Sequence, residues 1–395
     1  MTPENGRVSN ETDLTPKSPT VSVRPAAPWH EGAATFLIML ASALVSLAFW
    51  LKKDVSFLFL DYHVFQGQIW RLFTSALVHA NIFHLAFNLY WLHRFLPYYE
   101  RALGGWRSVI ALAFWAAIPG AAEYAFLDGG IGLSGIVYGA FGFLWWLGRH
   151  DARYFKAVTP QTTKLFVGWF FLCIILTVTN VMPIGNIAHG VGALCGVATG
   201  WVYFAAGSRQ WCRAIAVGAG ATVILLLASV GRPLVNMSPN RWHELASRGY
   251  DAHAAGHLDE AITLYRRALA IHPESDWAWH NLGRALADLH RGDEAEEALQ
   301  RAHDLDKGSR EIKQELAVAK TIHAIKLLQR DQNEEALPLL RRALELDNQS
   351  ANGWYNLGVA LDRLDRHAEA LEAFKTASKL APEIELYKRA AEHAP

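Results

Sequence analysis

The stretch Gly132-Leu133-Ser134-Gly135-Ile136-Val137-Tyr138-Gly139-Ala140-Phe141-Gly142 decides how the rest of the chain is read. A serine stands at the head of an apolar segment. Glycines recur every three or four residues behind it, the spacing that lets a neighbouring helix backbone come close. Ser134 is therefore read as a nucleophile. A serine hydroxyl reacts poorly at neutral pH until a base takes its proton, and that base is most often histidine.

Two other stretches supply what Ser134 needs. His189 lies in Asn186-Ile187-Ala188-His189-Gly190-Val191-Gly192-Ala193-Leu194-Cys195-Gly196, near the start of another apolar segment. Gly192, Gly196 and Gly200 repeat every four residues and form one smooth stripe beside the face that carries His189. Packing through that stripe would bring Ser134 and His189 within hydrogen-bond reach. The third stretch runs from Trp70-Arg71 to His79, His84 and Asn88. His84 and Asn88 stand one helical turn apart and project to one side, where their N–H groups suit an oxyanion of acyl transfer.

Together these stretches resemble the rhomboid family of intramembrane serine proteases. The matching features are Trp70-Arg71, the His79/His84/Asn88 array, Gly132-x-Ser134-Gly135 with Tyr138 and Gly139, and Ala188-His189-x2-Gly192-x3-Gly196, in the family's order. The resemblance covers roughly residues 35–205. It implies a catalytic dyad of Ser134 and His189 without a third acidic member, and an oxyanion site formed by His84, Asn88 and the Ser134 backbone N–H. It further implies a supporting role for His79 and packing of Tyr138 on the His189 ring. Trp70 and Arg71 are expected to brace the loop before the second span. No cofactor or metal site is expected.

Charge is divided unevenly. Residues 1–240 hold 16 basic and 10 acidic residues, and residues 241–395 hold 21 and 27. That contrast marks a membrane domain followed by a soluble one, and it excludes the basic footprint of a nucleic-acid binder. Cys173, Cys195 and Cys212 have no metal-ligand spacing and are read as small buried hydrophobes. Glu123, a carboxylate near the outer end of the third span, is given no role and is expected to face water.

Residues 1–32 are rich in Pro, Thr, Ser and Asn without apolar periodicity, the composition of a disordered tail. Apolar spans follow at about 33–51, 82–97, 109–126, 133–147, 165–181, 187–206 and 214–230. Several are shorter than the ~20 residues that cross the hydrocarbon as a helix, so protein or water should cover their ends. The expected fold class is all-α: a six-helix rhomboid-type core over 33–206, a seventh span and linker over 207–240, and an α-solenoid over 241–395. Lys and Arg cluster after the second, fourth and sixth spans and are absent after the third and fifth; Lys52, Lys53 and Arg71 after the first span run against this pattern, whose majority puts the N-terminus in the cytoplasm. Ser134 and His189 then lie near the outer ends of their helices. The repeat domain falls outside the cytoplasm, in the style of a bacterial inner-membrane protein.

Beyond Asn240 an internal repeat of about 34 residues takes over. Trp279-x2-Leu282-Gly283 with Ala295 and Ala302 aligns with Trp354-x2-Leu357-Gly358, Ala370, Phe374 and Ala377. Gly249, Ala261, Tyr265 and Ala268 make an earlier copy. Ala336, Leu340 and Ala343 make a degenerate one, preceded by inserted residues near Arg310. These resemble tetratricopeptide repeats, with Trp279 and Trp354 in the core and a concave face that binds proteins or peptides. The expected substrates are transmembrane proteins, cut near the outer end of their helices. A non-proteolytic rhomboid-like client binder or scaffold is the alternative.

Overall fold

The computed structural model describes residues 32–182 and 184–393, and every regular element among them is helical. The expected disordered tail lies outside the described residues except for Gly32. The described residues form two units, one ending at Asn236 and the other starting at Met237.

The first unit contains α1 (Ala33–Trp50), α2 (Arg71–Thr74), α3 (Ile82–Leu103), α4 (Gly105–Phe126), α5 (Ser134–His150), α6 (Pro160–Val178), α7 (Asn186–Tyr203), α8 (Ser208–Ala228) and the single turn α9 (Arg232–Val235). A long helix stands at each of the seven expected spans. Among the described residues only α1, α4, α6 and α8 are long and apolar enough to cross a membrane alone; a fifth candidate joins 71–77 to α3 across a 105° bend. The others are accounted for by burial. α5 has only 17 residues, about 25 Å of rise, and nearly all of its first eleven residues are buried against neighbouring helices. Protein rather than lipid covers it.

The core of this unit is aromatic and centred on α3, α4 and α5, with Phe95, Tyr99, Trp115 and Phe143 among its most buried side chains. Polar residues of the membrane helices point inward and are used. The Thr35 hydroxyl and the Gly32 and Thr35 N–H groups all reach the Glu100 carboxylate, so a side chain from the end of α3 caps the start of α1. Asn81 caps α3 through His84 N–H (2.9 Å), and Thr159 caps α6 through Thr162 N–H (3.2 Å). Arg232 of α9 is buried, donates to Leu127 O (2.9 Å) and lies 3.6 Å from the Tyr124 ring centroid, which holds α9 on the end of α4. Cys173 and Cys195 are buried as expected. Cys212 is not: it sits on α8, few of whose side chains pack against protein, and is exposed.

The second unit is four helix pairs and a terminal helix: α10 (Arg241–Ala254) with α11 (Leu258–Ile271), α12 (Asp276–Asp288) with α13 (Gly292–Leu305), α14 (Arg310–Gln329) with α15 (Asn333–Leu346), α16 (Ala351–Arg363) with α17 (His367–Leu380), then α18 (Glu385–His393). A small residue on the first helix of each pair faces a large one 16 positions later. A Cβ on Gly249 would stand 3.0 Å from the Tyr265 ring, one on Gly283 2.6 Å from Leu299 Cγ, and one on Gly358 2.5 Å from Phe374 Cε1. At the corresponding places of the degenerate copy stand Ala324 and Leu340, both fully buried.

The insertion in that copy is helix, not loop. Ser275, Ser309 and Ser350 cap α12, α14 and α16, and α14 runs 20 residues where α12 and α16 run 13. Seven added residues make about two turns, so the packing face returns to nearly the same side. The expected core tryptophans Trp279 and Trp354 are only half-buried at the core's edge. Each indole N–H instead donates to the carbonyl six residues earlier, Pro273 O (2.8 Å) and Asn348 O (2.9 Å), and braces the turn between pairs.

Candidate active site

The loop at 127–133 delivers Ser134, and its end is held from two sides. Gly132 has φ +105° and donates to Ser75 O (3.3 Å); a Cβ there would lie 2.7 Å from His84 Cε1, so the His84 ring rests on bare backbone. Leu133, the residue that caps α5, donates its N–H to His79 Nε2 at 3.2 Å. With Nε2 accepting, hydrogen bonding assigns the His79 proton to Nδ1, which faces Ser42 Oγ and Ser46 Oγ, each at 3.2 Å. Both serine hydroxyls donate onward to Leu77 O (2.8 and 3.2 Å). His79 is fully buried and meets the His84 ring edge-on at 4.8 Å. His79 thus ties α1, the turn before α3 and the Ser134 loop into one network.

The first turn of α5 packs on the first turns of α7 through backbone. A Cβ on Gly192 would meet Gly135 O at 2.6 Å; one on Gly196 would overlap Gly139 O, and one on Gly142 would overlap Ala193 O. Gly200 continues the stripe against Trp146. From the other side α4 closes on the same helix, with Pro119 Cβ 3.1 Å from the Cβ position of Gly135 and the Trp115 ring against Gly139. On this platform the Tyr138 ring lies flat over His189, centroids 4.7 Å apart and planes 18° from parallel. Tyr138 is one turn beyond Ser134 and His189 one turn before Gly192, so both packing contacts put the imidazole beside the start of α5.

Within this geometry Ser134 is half-buried and His189 is buried, with Nδ1 lacking a hydrogen-bond partner. No hydrogen bond joins Ser134 to His189 in this structure. Asn88 is buried and donates Nδ2 to His84 O on its own helix (3.1 Å), which leaves its second amide hydrogen available. Trp70 and Arg71 stand apart from this cluster. Arg71 Nη1 donates to Ser56 O, Phe59 O and Asp61 Oδ2 (3.0, 3.0 and 2.9 Å), and Trp70 Nε1 to Phe57 O (3.1 Å), so both hold the loop before α2 in shape.

Glu123 departs from expectation. It is 3% exposed, and its Oε2 accepts the Ala188 N–H at 2.9 Å at the start of α7. The residue is not in water because the cap position of α7 is Gly185, which has no side chain with which to cap the helix, and Glu123 fills that role. Ser42 and Ser46 were missed altogether, although their four-residue spacing on a membrane helix is the signal of a polar face turned inward.

Residues 66–206 match a family model described as Rhomboid domain. Residues 252–318 and 323–383 each match one described as Tetratricopeptide repeat. The chain joins a rhomboid domain to tetratricopeptide repeats. Among curated relatives, Rhomboid protease GlpG of Enterobacter sp. (strain 638) is 32% identical over 139 residues, which are 34% of this chain and 48% of that protein. Rhomboid protease GlpG of Salmonella typhimurium (strain LT2) is 28% identical over 181 residues, 43% of this chain and 63% of that protein. The chain therefore spans about half to just under two thirds of the length of these relatives. Similar solved structures include MamA from Desulfovibrio magneticus RS-1, at 20% identity and TM-score 0.31 over 38% of this chain and 82% of that one. YrrB, titled a TPR protein with an unusual peptide-binding site, is 20% identical with TM-score 0.30 over 38% and 73%. The repeat assignment rests on the family models. The rhomboid domain and its apolar helices make this a membrane protein.

Proposed function

We propose that the chain is an intramembrane serine endopeptidase in which Ser134 attacks and His189 moves the proton. The observation that carries this reading is the flat stack of Tyr138 on His189 over the glycine contact of α5 with α7, which leaves the imidazole beside the first turn of α5. His189 takes the Ser134 proton as Oγ adds to the peptide carbonyl, then gives it to the leaving amine; water repeats the cycle on the acyl-enzyme. The oxyanion meets the Ser134 N–H, which as the first residue of α5 has no intrahelical partner, together with His84 and the free amide hydrogen of Asn88. Each such donor is worth on the order of 3 kcal/mol in the transition state. Closing the remaining gap between Ser134 and His189 accompanies substrate binding, since catalytic hydrogen bonds tighten in the bound complex.

The substrates are transmembrane proteins cut near the outer end of their helices, where water reaches the site. The N-terminus lies in the cytoplasm of a bacterial cell, and the repeat domain lies outside it. There the repeats bind a protein or peptide, and the short linker after α8 raises the local concentration of that partner at the membrane. The unmade Ser134 to His189 hydrogen bond favours one other reading, a client binder that does not cut.

The test is cleavage of a single-span substrate by the full chain in detergent. Wild type should release product, and Ser134→Ala and His189→Ala should each lower the rate by about 10³-fold or more. Folded wild type that binds the substrate without cutting it would favour the client binder.

A further inference from the structure

Glu123 touches both approaches to the dyad. Its carboxylate caps α7 through Ala188 N–H, and a Cβ on Gly185 would lie 3.4 Å from Oε2 and from Cδ. On the other side, a Cβ on Gly130 would lie 3.6 Å from Glu123 Cγ. Gly130 stands four residues before Ser134 and Gly185 four before His189. One side chain at the end of α4 is thus enclosed by the bare backbones of the two segments that lead to the two reacting residues.

We propose that Glu123 is a positioning residue, which holds the Ser134 loop and the first turn of α7 in register across the site. The inference rests on the Ser134/His189 reading. His189 is the fourth residue of α7, and its own N–H closes the first helical turn on Gly185 O at 3.2 Å. The glycine contacts that lock α7 to α5 begin only at Gly192. Between Gly185 and Gly192 the helix end is held by Asn186 Nδ2 on Thr177 Oγ1 (2.8 Å), by the Tyr138 stack on His189 and by what satisfies its leading N–H groups, and a carboxylate at a helix N-terminus does the last with favourable charge. Without it the end frays, and His189 moves while the rest of α7 stays packed.

The experiment compares wild type, Glu123→Leu and Glu123→Gln as full chains in detergent, with Ser134→Ala alongside. Glu123→Leu keeps the bulk and loses the acceptor; Glu123→Gln keeps an acceptor oxygen. Glu123→Leu should lower kcat about tenfold or more with KM within about twofold, and Glu123→Gln should recover most of that loss. Hydrogen exchange over 186–189 should rise in Glu123→Leu while 192–203 stays protected. Unchanged exchange at 186–189, or glutamine as damaging as leucine, would overturn the proposal. Cleavage that survives Ser134→Ala would instead refute the dyad, and the exchange result would still decide the role of Glu123.

Discussion

The two units solve the same problem, bringing helices together at glycine, by opposite means. At the α5–α7 contact of the rhomboid domain three glycines admit backbone: Gly192 faces Gly135 O, Gly196 faces Gly139 O, and Gly142 faces Ala193 O, while Gly139 and Gly200 on the same helices also take the Trp115 and Trp146 rings. In the repeats the glycines admit side chains: Gly249 receives Tyr265, Gly283 receives Leu299, and Gly358 receives Phe374. The difference follows from the solvent. In lipid, burying an apolar side chain against another helix gains little, so association relies on close backbone packing. In water, each large side chain pressed into a glycine notch also leaves solvent, so knob and notch are favoured together.

The largest expected effect follows from breaking the backbone contacts. Gly196→Val or Gly142→Val in the full chain should separate α5 from α7, cost roughly 3 kcal/mol or more, and abolish cleavage; a thermal melt in detergent and the substrate assay check both. A smaller effect is expected at Gly283→Ala, where the obstacle is the Leu299 side chain and can shift. There the helical melt should lose about 1–2 kcal/mol with cleavage of a single-span substrate unchanged. If Gly283→Ala proved as damaging as Gly196→Val, the contrast between the units would fail.

The repeats also hold a charged cluster between α13 and α14. Glu296 accepts from Lys320 (2.9 Å) and His323 (2.6 Å), and Lys320 is nearly buried. Burial pushes the Glu296 carboxyl up, but the hydrogen bonds from Lys320 and His323 outweigh it and leave it below its ordinary value. A carboxyl lowered on folding stabilises above its unfolded pKa and stops doing so as pH falls through the folded one. Glu296→Gln should therefore cost on the order of 2 kcal/mol near neutral pH, and the difference from wild type should shrink below about pH 4. Urea melts at both pH values would measure it. The smallest effect belongs to Gly218→Ala on α8, where a Cβ meets nothing within 4 Å; stability should stay within about 0.5 kcal/mol.

Much of this was legible before the structure. The stripe of Gly192, Gly196 and Gly200 showed where α7 packs, and the Leu-Gly of Trp-x2-Leu-Gly marked the helix contact of two of the four repeats, because both patterns state a local steric need; that the tryptophans brace the turn was not legible. Other features could not be read, since they depend on which helix ends meet. Glu123 is a carboxylate in an apolar run until α7 is seen to start beside it with a glycine at its cap. The spacing of Ser42 and Ser46 marks an inward polar face of α1, but their partner has no trace in sequence, because His79 reaches them from another segment. The inserted residues near Arg310 carried no sign of whether they would form a loop or lengthen a helix. That they number seven, about two turns, explains why α14 absorbs them without losing its face.

The central claim is that Ser134 is activated by His189 across the α5–α7 contact. Its most direct test is labelling of the full chain in detergent with a fluorophosphonate, the modified residue being located by mass spectrometry. The account predicts one adduct, on Ser134, that is lost in Ser134→Ala and slowed by about a hundredfold or more in His189→Ala. Labelling of Ser134 at the same rate without His189, or no labelling of folded wild type, would contradict it.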